Sequence, residues 1–230
     1  MPLRLFNTMT KKKELFKTLK DKQVKLFVCG VTVYNYSHLG HARTYAFYDT
    51  LVRFLRYLGY KVNYLQNVTD VGHLFDTGED KILKKAKEEK KDPMEIAQYY
   101  LDDWLEMMEK LRIKRPDLMP RATHHIKEIV EQVGAIIKNG YAYVTPTGVY
   151  FNISKFQDYG KLSHQKPKEL EKHRIEPDIT KKNIQDFSLW QYKREDQLTW
   201  DLEIELEVTE EKLKEILRSG TSGFVEVIKK

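Results

Sequence analysis

Residues 25–45 read KLFVCGVTVYNYSHLGHARTY, and this stretch decides the fold that the rest of the chain predicts. Residues 25–29 are mostly apolar and partly β-branched, as in a short buried strand. From Ser37 onward, apolar side chains recur at steps of three and four residues until Gly59 ends the pattern. The stretch therefore predicts a strand, a turn and the first part of a helix.

The predicted start of this helix, near Ser37 and His38, is suited to bind an anion. The first N–H groups of a helix have no partner within it, and the helix dipole adds partial positive charge there. His38 and His41 lie three residues apart on one face, where imidazoles can hydrogen-bond a phosphate or offset developing negative charge. Gly40 has no Cβ, so a purine or ribose can approach its backbone. We therefore take His38 and His41 as catalytic candidates.

A second strand is predicted over residues 61–66, so the segment forms a βαβ unit with a right-handed crossover. Ligands of an open parallel sheet bind at the carboxyl ends of its strands, which places Cys29 beside residues 67–70. Asp70 there either orients a substrate amine or ribose hydroxyl, or caps the next helix. Cys29 is the only cysteine, which excludes an internal disulfide and leaves a small buried residue or a metal or redox residue.

The rest of the chain predicts helices, a hairpin and a mixed tail. In order, we expect an extended arm and a lysine-rich loop (3–19), a polar helix (79–90), a helix with one apolar face (93–111), a prolyl loop (112–120), a helix ending at 139–140, a β-hairpin (141–153), a polar loop (156–180), and a tail of strand (202–208), helix (209–219) and strand (224–228).

Composition indicates a globular protein, with 41% hydrophobic and 32% charged residues among 230. No apolar run is long enough for a membrane span, and residues 1–4 lack the apolar core of a signal peptide. We therefore expect a cytoplasmic protein without a membrane partner. The net charge of +6 is compatible with a polyanionic partner but does not establish one.

Several motifs resemble one family. Residues 38–41, HLGH, are similar to the HIGH motif of class I aminoacyl-tRNA synthetases, and residues 29–34, CGVTVY, resemble cysteinyl-tRNA synthetases in particular. The segments 42–44 (ART) and 67–71 (NVTDV) fit the same family. The resemblance covers residues 2–201. It implies an α/β fold: the first half of a Rossmann-like (HUP-type) parallel sheet, with a helical and β-hairpin connective insertion.

The resemblance also implies a division of the chain and roles for its residues. Residues 1–77 would be the first half of the nucleotide-binding domain, 78–190 the insertion, and 191–230 a return segment with a divergent tail. His38 and His41 would be catalytic, and Cys29 would bind Zn²⁺. His73 is a further zinc candidate, although a loop histidine is more often structural. ATP with Mg²⁺ would be bound by Gly30, Thr32, Gly40, Thr69 and Asp70.

The implied reaction is ATP-dependent activation of cysteine to its adenylate, followed by transfer to tRNA(Cys). After Trp200 the sequence shows no counterpart of the family's other zinc ligands, lysine loop or anticodon-binding helices. We therefore expect the chain alone to hold zinc and tRNA weakly and to be incomplete as an enzyme, unless a second chain completes the site. The alternatives are a non-catalytic nucleotide- or tRNA-binding paralogue and a cysteine ligase acting on a small amine.

Overall fold

The structure is a computed structural model that describes residues 2–72, 80–165 and 179–192. The predictions for His73 and for the tail after residue 201 lie outside these ranges. The chain forms two compact units: the first comprises Met1–Leu5 and Leu15–His125, and the second comprises Phe6–Glu14 and Ile126–Lys230. This division places the two helices after residue 80 with the first unit, whereas the sequence-based division falls after residue 77.

Near the N-terminus, β1 (Arg4–Asn7) and β2 (Lys12–Leu15) pair as a two-stranded sheet. The first unit then contains β3 (Gln23–Val28), α1 (Leu39–Tyr57) and β4 (Lys61–Gln66). The strands are parallel and in register from Gln23 opposite Lys61 to Val28 opposite Gln66. The predicted βαβ unit is therefore confirmed.

Two further helices, α2 (Lys81–Glu89) and α3 (Pro93–Lys110), complete the first unit. Asp92 caps α3, as the sequence predicts, because its side chain accepts the Met94 N–H. The sequence did not predict the cap of α2, where the Asp80 side chain accepts hydrogen bonds from two N–H groups. The apolar face of α3 is core, as predicted, because Ile96, Trp104 and Met108 have at most 2% of their surface exposed. Burying each such side chain contributes about 1.5–3 kcal/mol.

The segment after α3 pairs with the other edge of β4, although the sequence predicts only a loop with two prolines. Leu118 forms a parallel bridge with Leu65, and Arg121 forms another with Val68. The Val68 N–H donates to the Pro120 carbonyl at 2.8 Å. A proline carbonyl accepts as well as any other, so a proline is tolerated on an edge where its missing N–H is not needed.

The second unit contains α4 (Ile126–Lys138), preceded by a 3₁₀ turn over Ala122–His125, and then β5 (Ala142–Thr145), β6 (Gly148–Phe151) and β7 (Phe187–Gln191). The strands form an antiparallel sheet in the order β5, β6, β7. The predicted hairpin is thus confirmed. Val133 of α4 and Val149 of β6 form the centre of the hydrophobic core of the second unit. Among the described residues, no helix is long and apolar enough to cross a bilayer.

Candidate nucleotide site

The chain continues in parallel beyond the ends of β3 and β4, and this extension forms the rim of the site. Thr32 bridges Thr69, whose N–H donates to the Val31 carbonyl at 3.0 Å. The Gly30 N–H donates to Asn67 Oδ1 at 2.9 Å. Residues 29–32 and 67–70 therefore lie side by side at the carboxyl ends of the strands, as the sequence predicts.

Gly30 lies against the backbone of the neighbouring segment. A Cβ at this position would be 1.6 Å from the Asn67 carbonyl oxygen and 2.7 Å from its carbon. No side chain fits there without moving one of the two segments. Close packing against Asn67 therefore explains why this position requires glycine. The predicted contact of Gly30 with a nucleotide stays a prediction.

His38 and His41 form a reciprocal capping box at the start of α1. His38 is the N-cap, and its Nδ1 accepts the Gly40 N–H at 3.1 Å. His41 Nδ1 in turn accepts the His38 N–H at 3.3 Å. The two rings stack with centroids 3.9 Å apart. The imidazoles thus accept hydrogen bonds from two of the N–H groups that the sequence analysis assigned to an anion. A side chain close in sequence can satisfy these donors without a ligand.

This geometry also determines the proton positions on the two rings. A nitrogen that accepts a hydrogen bond carries no proton, so each neutral ring carries its proton on Nε2. Burial lowers the pKa of His41, and the charge of a protonated His38 lowers it further. The lowered pKa of His41 favours its neutral form, which keeps an N–H donor on Nε2.

Cys29 follows β3 directly and is exposed, which excludes the small buried residue as an interpretation. Its carbonyl oxygen accepts the Tyr45 hydroxyl at 3.3 Å, so α1 holds its backbone in place. A zinc site ordinarily has three or four protein ligands. Within residues 2–72, 80–165 and 179–192, no three His, Cys, Asp or Glu side chains are grouped to hold a metal. The described residues alone therefore do not fit a zinc ion.

Comparison with known proteins agrees with this geometry. Residues 15–204 match the family described as the catalytic domain of class I (C) tRNA synthetases. The chain belongs to this family. It is 45% identical to the cysteine–tRNA ligase of Pyrococcus furiosus over 200 residues, which are 86% of this chain and 40% of that protein. The corresponding ligase of Archaeoglobus fulgidus is 43% identical over 194 residues, 84% of the chain and 40% of that protein.

A bacterial relative gives the same result: the ligase of Chlorobium chlorochromatii is 44% identical over 200 residues, 85% of the chain and 42% of that protein. This chain therefore spans about two fifths of the length of the curated relatives that it matches. The recognition made from HLGH and CGVTVY is confirmed. A class I catalytic domain implies a Rossmann-like α/β fold, and the parallel β3 and β4 with α1 between them agree with that fold.

In this synthetase domain, two buried carboxylates anchor residues 70–72, which follow β4. Asp70 is 1% exposed, and its oxygens accept the Thr123 N–H at 3.1 Å and the Thr123 hydroxyl at 2.7 Å. Asp80 is 5% exposed and accepts the Gly72 N–H at 2.9 Å besides capping α2. Asp70 thus acts as an anchor in this structure, and its contact with a substrate stays a prediction.

Sequence reasoning missed the tyrosines that support the synthetase motif from α3. The Tyr36 hydroxyl lies 3.0 Å from that of Tyr99, and the Tyr36 ring packs edge-on against Tyr100 at 5.2 Å. The hydrogen bond with Tyr99 raises the pKa of Tyr36 to about 12. Tyr36 lies two residues before His38, so these contacts tie the start of α1 to α3. Only their residue type is visible in the sequence, since 63 residues separate Tyr36 from Tyr99.

A cavity of about 440 Å³ adjoins this support. It is lined by Tyr36, Ser37, Asp103, Glu106, Met107, Lys110 and Leu111. Ser37 directly precedes the N-cap of α1, so the cavity opens beside the motif on the side of α3. Its lining combines two carboxylates and a lysine with apolar side chains.

Proposed function

We propose that the chain binds the phosphates of ATP at the start of α1 and takes part in the activation of cysteine as its adenylate and its transfer to tRNA(Cys). The observation that carries this proposal is the pair of stacked histidines at a helix N-terminus, at the carboxyl ends of two parallel strands. Membership of the tRNA synthetase family supports the same reaction class. We place this reaction in the cytoplasm.

The energies of the competing contacts favour the phosphate over the histidine caps. An N-cap side chain stabilises a helix by about 1 kcal/mol. A hydrogen bond to a charged group contributes about 1.5–3 kcal/mol, and a phosphate oxygen accepts several. ATP therefore displaces the His38 side chain from the Gly40 N–H, and the freed imidazole donates Nε2–H to a phosphate oxygen instead.

In the proposed reaction, the cysteine carboxylate attacks the α-phosphorus and pyrophosphate leaves on the opposite side. Negative charge increases on the non-bridging oxygens of the α-phosphate. Donors held in place before the reaction stabilise that charge without reorganisation, and loss of one such donor commonly lowers the rate about a hundredfold or more. His38, His41 and the N–H groups of the first turn are these donors.

Mg²⁺ and Zn²⁺ differ in the protein ligands that this proposal requires for them. Mg²⁺ binds mainly to phosphates and water and needs one or two carboxylates at most, so a dedicated protein cluster is not required. When bound, it neutralises phosphate charge. Zn²⁺ at Cys29 would select the soft thiolate of cysteine over the hydroxyl of serine. Such a site requires further ligands from outside the described residues or from a second chain.

Titration with ATP and Mg²⁺ tests the nucleotide site. We expect His41→Ala to weaken binding about tenfold or more, because a hydrogen bond to a charged group is lost. His124→Ala is the matched control, since His124 is exposed at the 3₁₀ turn and takes no part in the capping box. Equal affinity in both variants, or no binding to the wild type, would refute the site.

Cysteine-dependent exchange of pyrophosphate into ATP then distinguishes the candidate functions. Exchange supports adenylate formation, and the product formed with tRNA or with a small amine shows which acceptor is used. Nucleotide binding without exchange supports the non-catalytic alternative for this 230-residue chain.

A further inference from the structure

The peptide unit between Cys29 and Gly30 is held at both ends by side chains. It follows Val28, the last residue of β3. Its carbonyl oxygen accepts the Tyr45 hydroxyl at 3.3 Å, and its N–H donates to Asn67 Oδ1 at 2.9 Å. A peptide unit is planar and trans, so these two groups point in opposite directions from one rigid plane. The two hydrogen bonds together hold that plane, and we call them the peptide clamp.

The clamp acts at a point where the backbone would otherwise rotate easily. Gly30 has no Cβ, so the torsion angles on its side of the plane are less restricted than those of other residues. The plane also contains the Cα of Cys29, and Cys29 carries the only thiol of the chain. Since this thiol is exposed at the rim of the site, the clamp locates the carbon from which it extends.

Tyr45 is itself held firmly within the first unit. Its side chain is 3% exposed, and the ring of Trp104 packs against it edge-on at 5.3 Å. The Tyr45 ring also lies 6.4 Å from that of His41, at an interplanar angle of 13°. Tyr45 and His41 are four residues apart and so share a face of α1. One side chain therefore contacts both an imidazole of the motif and the peptide that bears Cys29.

Asn67 connects the clamp to the second strand of the sheet. It directly follows β4, and its Nδ2 donates to Thr69 Oγ1 at 3.1 Å while its Oδ1 accepts the Gly30 N–H. The clamp thus joins α1 to the ends of both parallel strands, which are the three elements that form the site.

We propose that Tyr45 is a positioning residue, which together with Asn67 fixes the place of the Cys29 thiol relative to His38 and His41. Phenylalanine at position 45 would fill the same space in the core, so the hydroxyl serves position rather than packing. The proposal rests on the proposed function in one respect: it gives the thiol and the two imidazoles parts in the same reaction.

Amide hydrogen exchange without ATP tests the clamp. Labelling with [1-¹³C]cysteine and [¹⁵N]glycine gives one correlated signal, that of the Gly30 N–H, because the chain contains one cysteine. We expect Tyr45→Phe to speed exchange of this N–H about two- to tenfold, the equivalent of one lost neutral hydrogen bond. The effect would pass through the peptide plane, since the Tyr45 hydroxyl bonds only the carbonyl end of the clamp.

Alkylation of Cys29 by iodoacetamide tests whether the clamp positions the thiol. A loosened segment presents the thiol to the reagent from more directions, so Tyr45→Phe should raise the alkylation rate about twofold or more, the equivalent of one lost neutral hydrogen bond. Tyr48→Phe is the matched control, because it makes the same chemical change one turn further along α1. It should leave both rates unchanged.

Two Asn67 variants test the other end of the clamp. Asn67→Asp keeps an acceptor for the Gly30 N–H and should retain slow exchange, whereas Asn67→Ala should lose it. The N–H of Leu55, in the middle of α1, reports on general destabilisation in a uniformly labelled sample.

The proposal is overturned if Gly30 exchange in Tyr45→Phe is unchanged, or rises no more than exchange at Leu55. It is also overturned if the alkylation rate does not rise, or if Tyr48→Phe has the same effects. Equal exchange in Asn67→Asp and Asn67→Ala would likewise refute it. Failure of the wild type to bind ATP would refute the nucleotide site alone, since neither rate is measured with ATP.

Discussion

Replacement of Gly30 by alanine would test how the rim of the site is built. The added Cβ would be 1.6 Å from the Asn67 carbonyl oxygen, and that separation has to grow to at least 3.0 Å. The obstacle is backbone on both sides, so rotation of a side chain cannot relieve it. The two segments must separate, which also breaks the 2.9 Å hydrogen bond from the Gly30 N–H to Asn67 Oδ1.

The expected cost follows from these two losses. Overpacking of this kind usually costs about 1–3 kcal/mol, and a lost hydrogen bond adds about 1 kcal/mol. We therefore expect Gly30→Ala to lower the free energy of unfolding by about 3 kcal/mol. ATP affinity should fall as well, because a displacement of this size moves Cys29 and residues 67–70 away from the start of α1.

Urea unfolding and ATP titration on the same samples check both expectations. Gly140→Ala is the control: Gly140 has φ of 78°, so alanine is strained there, but a Cβ would meet nothing within 4 Å. That variant should lose about 1 kcal/mol and keep its ATP affinity. The packing argument fails if Gly30→Ala binds ATP poorly while unfolding like the wild type, since Gly30 would then act only as a nucleotide contact.

Two more predictions concern titration and buried charge. The lowered pKa of His41 favours its neutral form in the folded chain, so its contribution to stability is full above about pH 6.5 and is lost as pH falls through that lowered pKa. The difference in unfolding free energy between wild type and His41→Gln should therefore shrink from pH 8 to pH 5, and a constant difference would contradict the assignment. Asp186→Asn should cost about 3 kcal/mol, because three donors from Tyr143 and Asn183 converge on Asp186 Oδ2 and the Ile153 N–H donates to Oδ1, so in either orientation an amide NH₂ would face a donor. Tyr143→Phe, which removes one of these donors, should cost about 1 kcal/mol, and equal losses in the two variants would show that the carboxylate is not needed.

Sequence reasoning succeeded where local pattern determines structure. The 3.6-residue period ending at Gly59 predicted α1, and the apolar runs on either side predicted parallel strands that end at a common rim. Asp92 followed by Pro93 marked the start of α3 because both residues suit the first turn of a helix. These features depend on residues close in the chain, so the sequence displays them directly.

The sequence was less informative where contacts connect segments that are distant in the chain. Residues 117–122 have no strand pattern of their own, and they pair with β4 because its free edge offers N–H and C=O groups that need partners. The Tyr36 and Tyr99 contact depends on how α3 packs, and the anchoring of Asp70 by Thr123 spans 53 residues. Asp70 illustrates the general difficulty: the sequence offers a ligand or a cap, and only the fold shows which donors lie within reach.

The capping box gives the two histidines a structural role that does not depend on the proposed nucleotide. A helix whose first turn lies at a ligand site must leave N–H donors available there, yet unpaired N–H groups in the first turn destabilise the helix. His38 and His41 satisfy both requirements, because an imidazole nitrogen caps the helix weakly and can leave when phosphate offers stronger, charge-assisted bonds. Serine or aspartate would cap as well, but neither presents an N–H to a phosphate afterwards, and aspartate would repel it. The spacing of three residues allows each ring to cap the other's part of the turn, and it also keeps both rings on the face where the phosphates would bind.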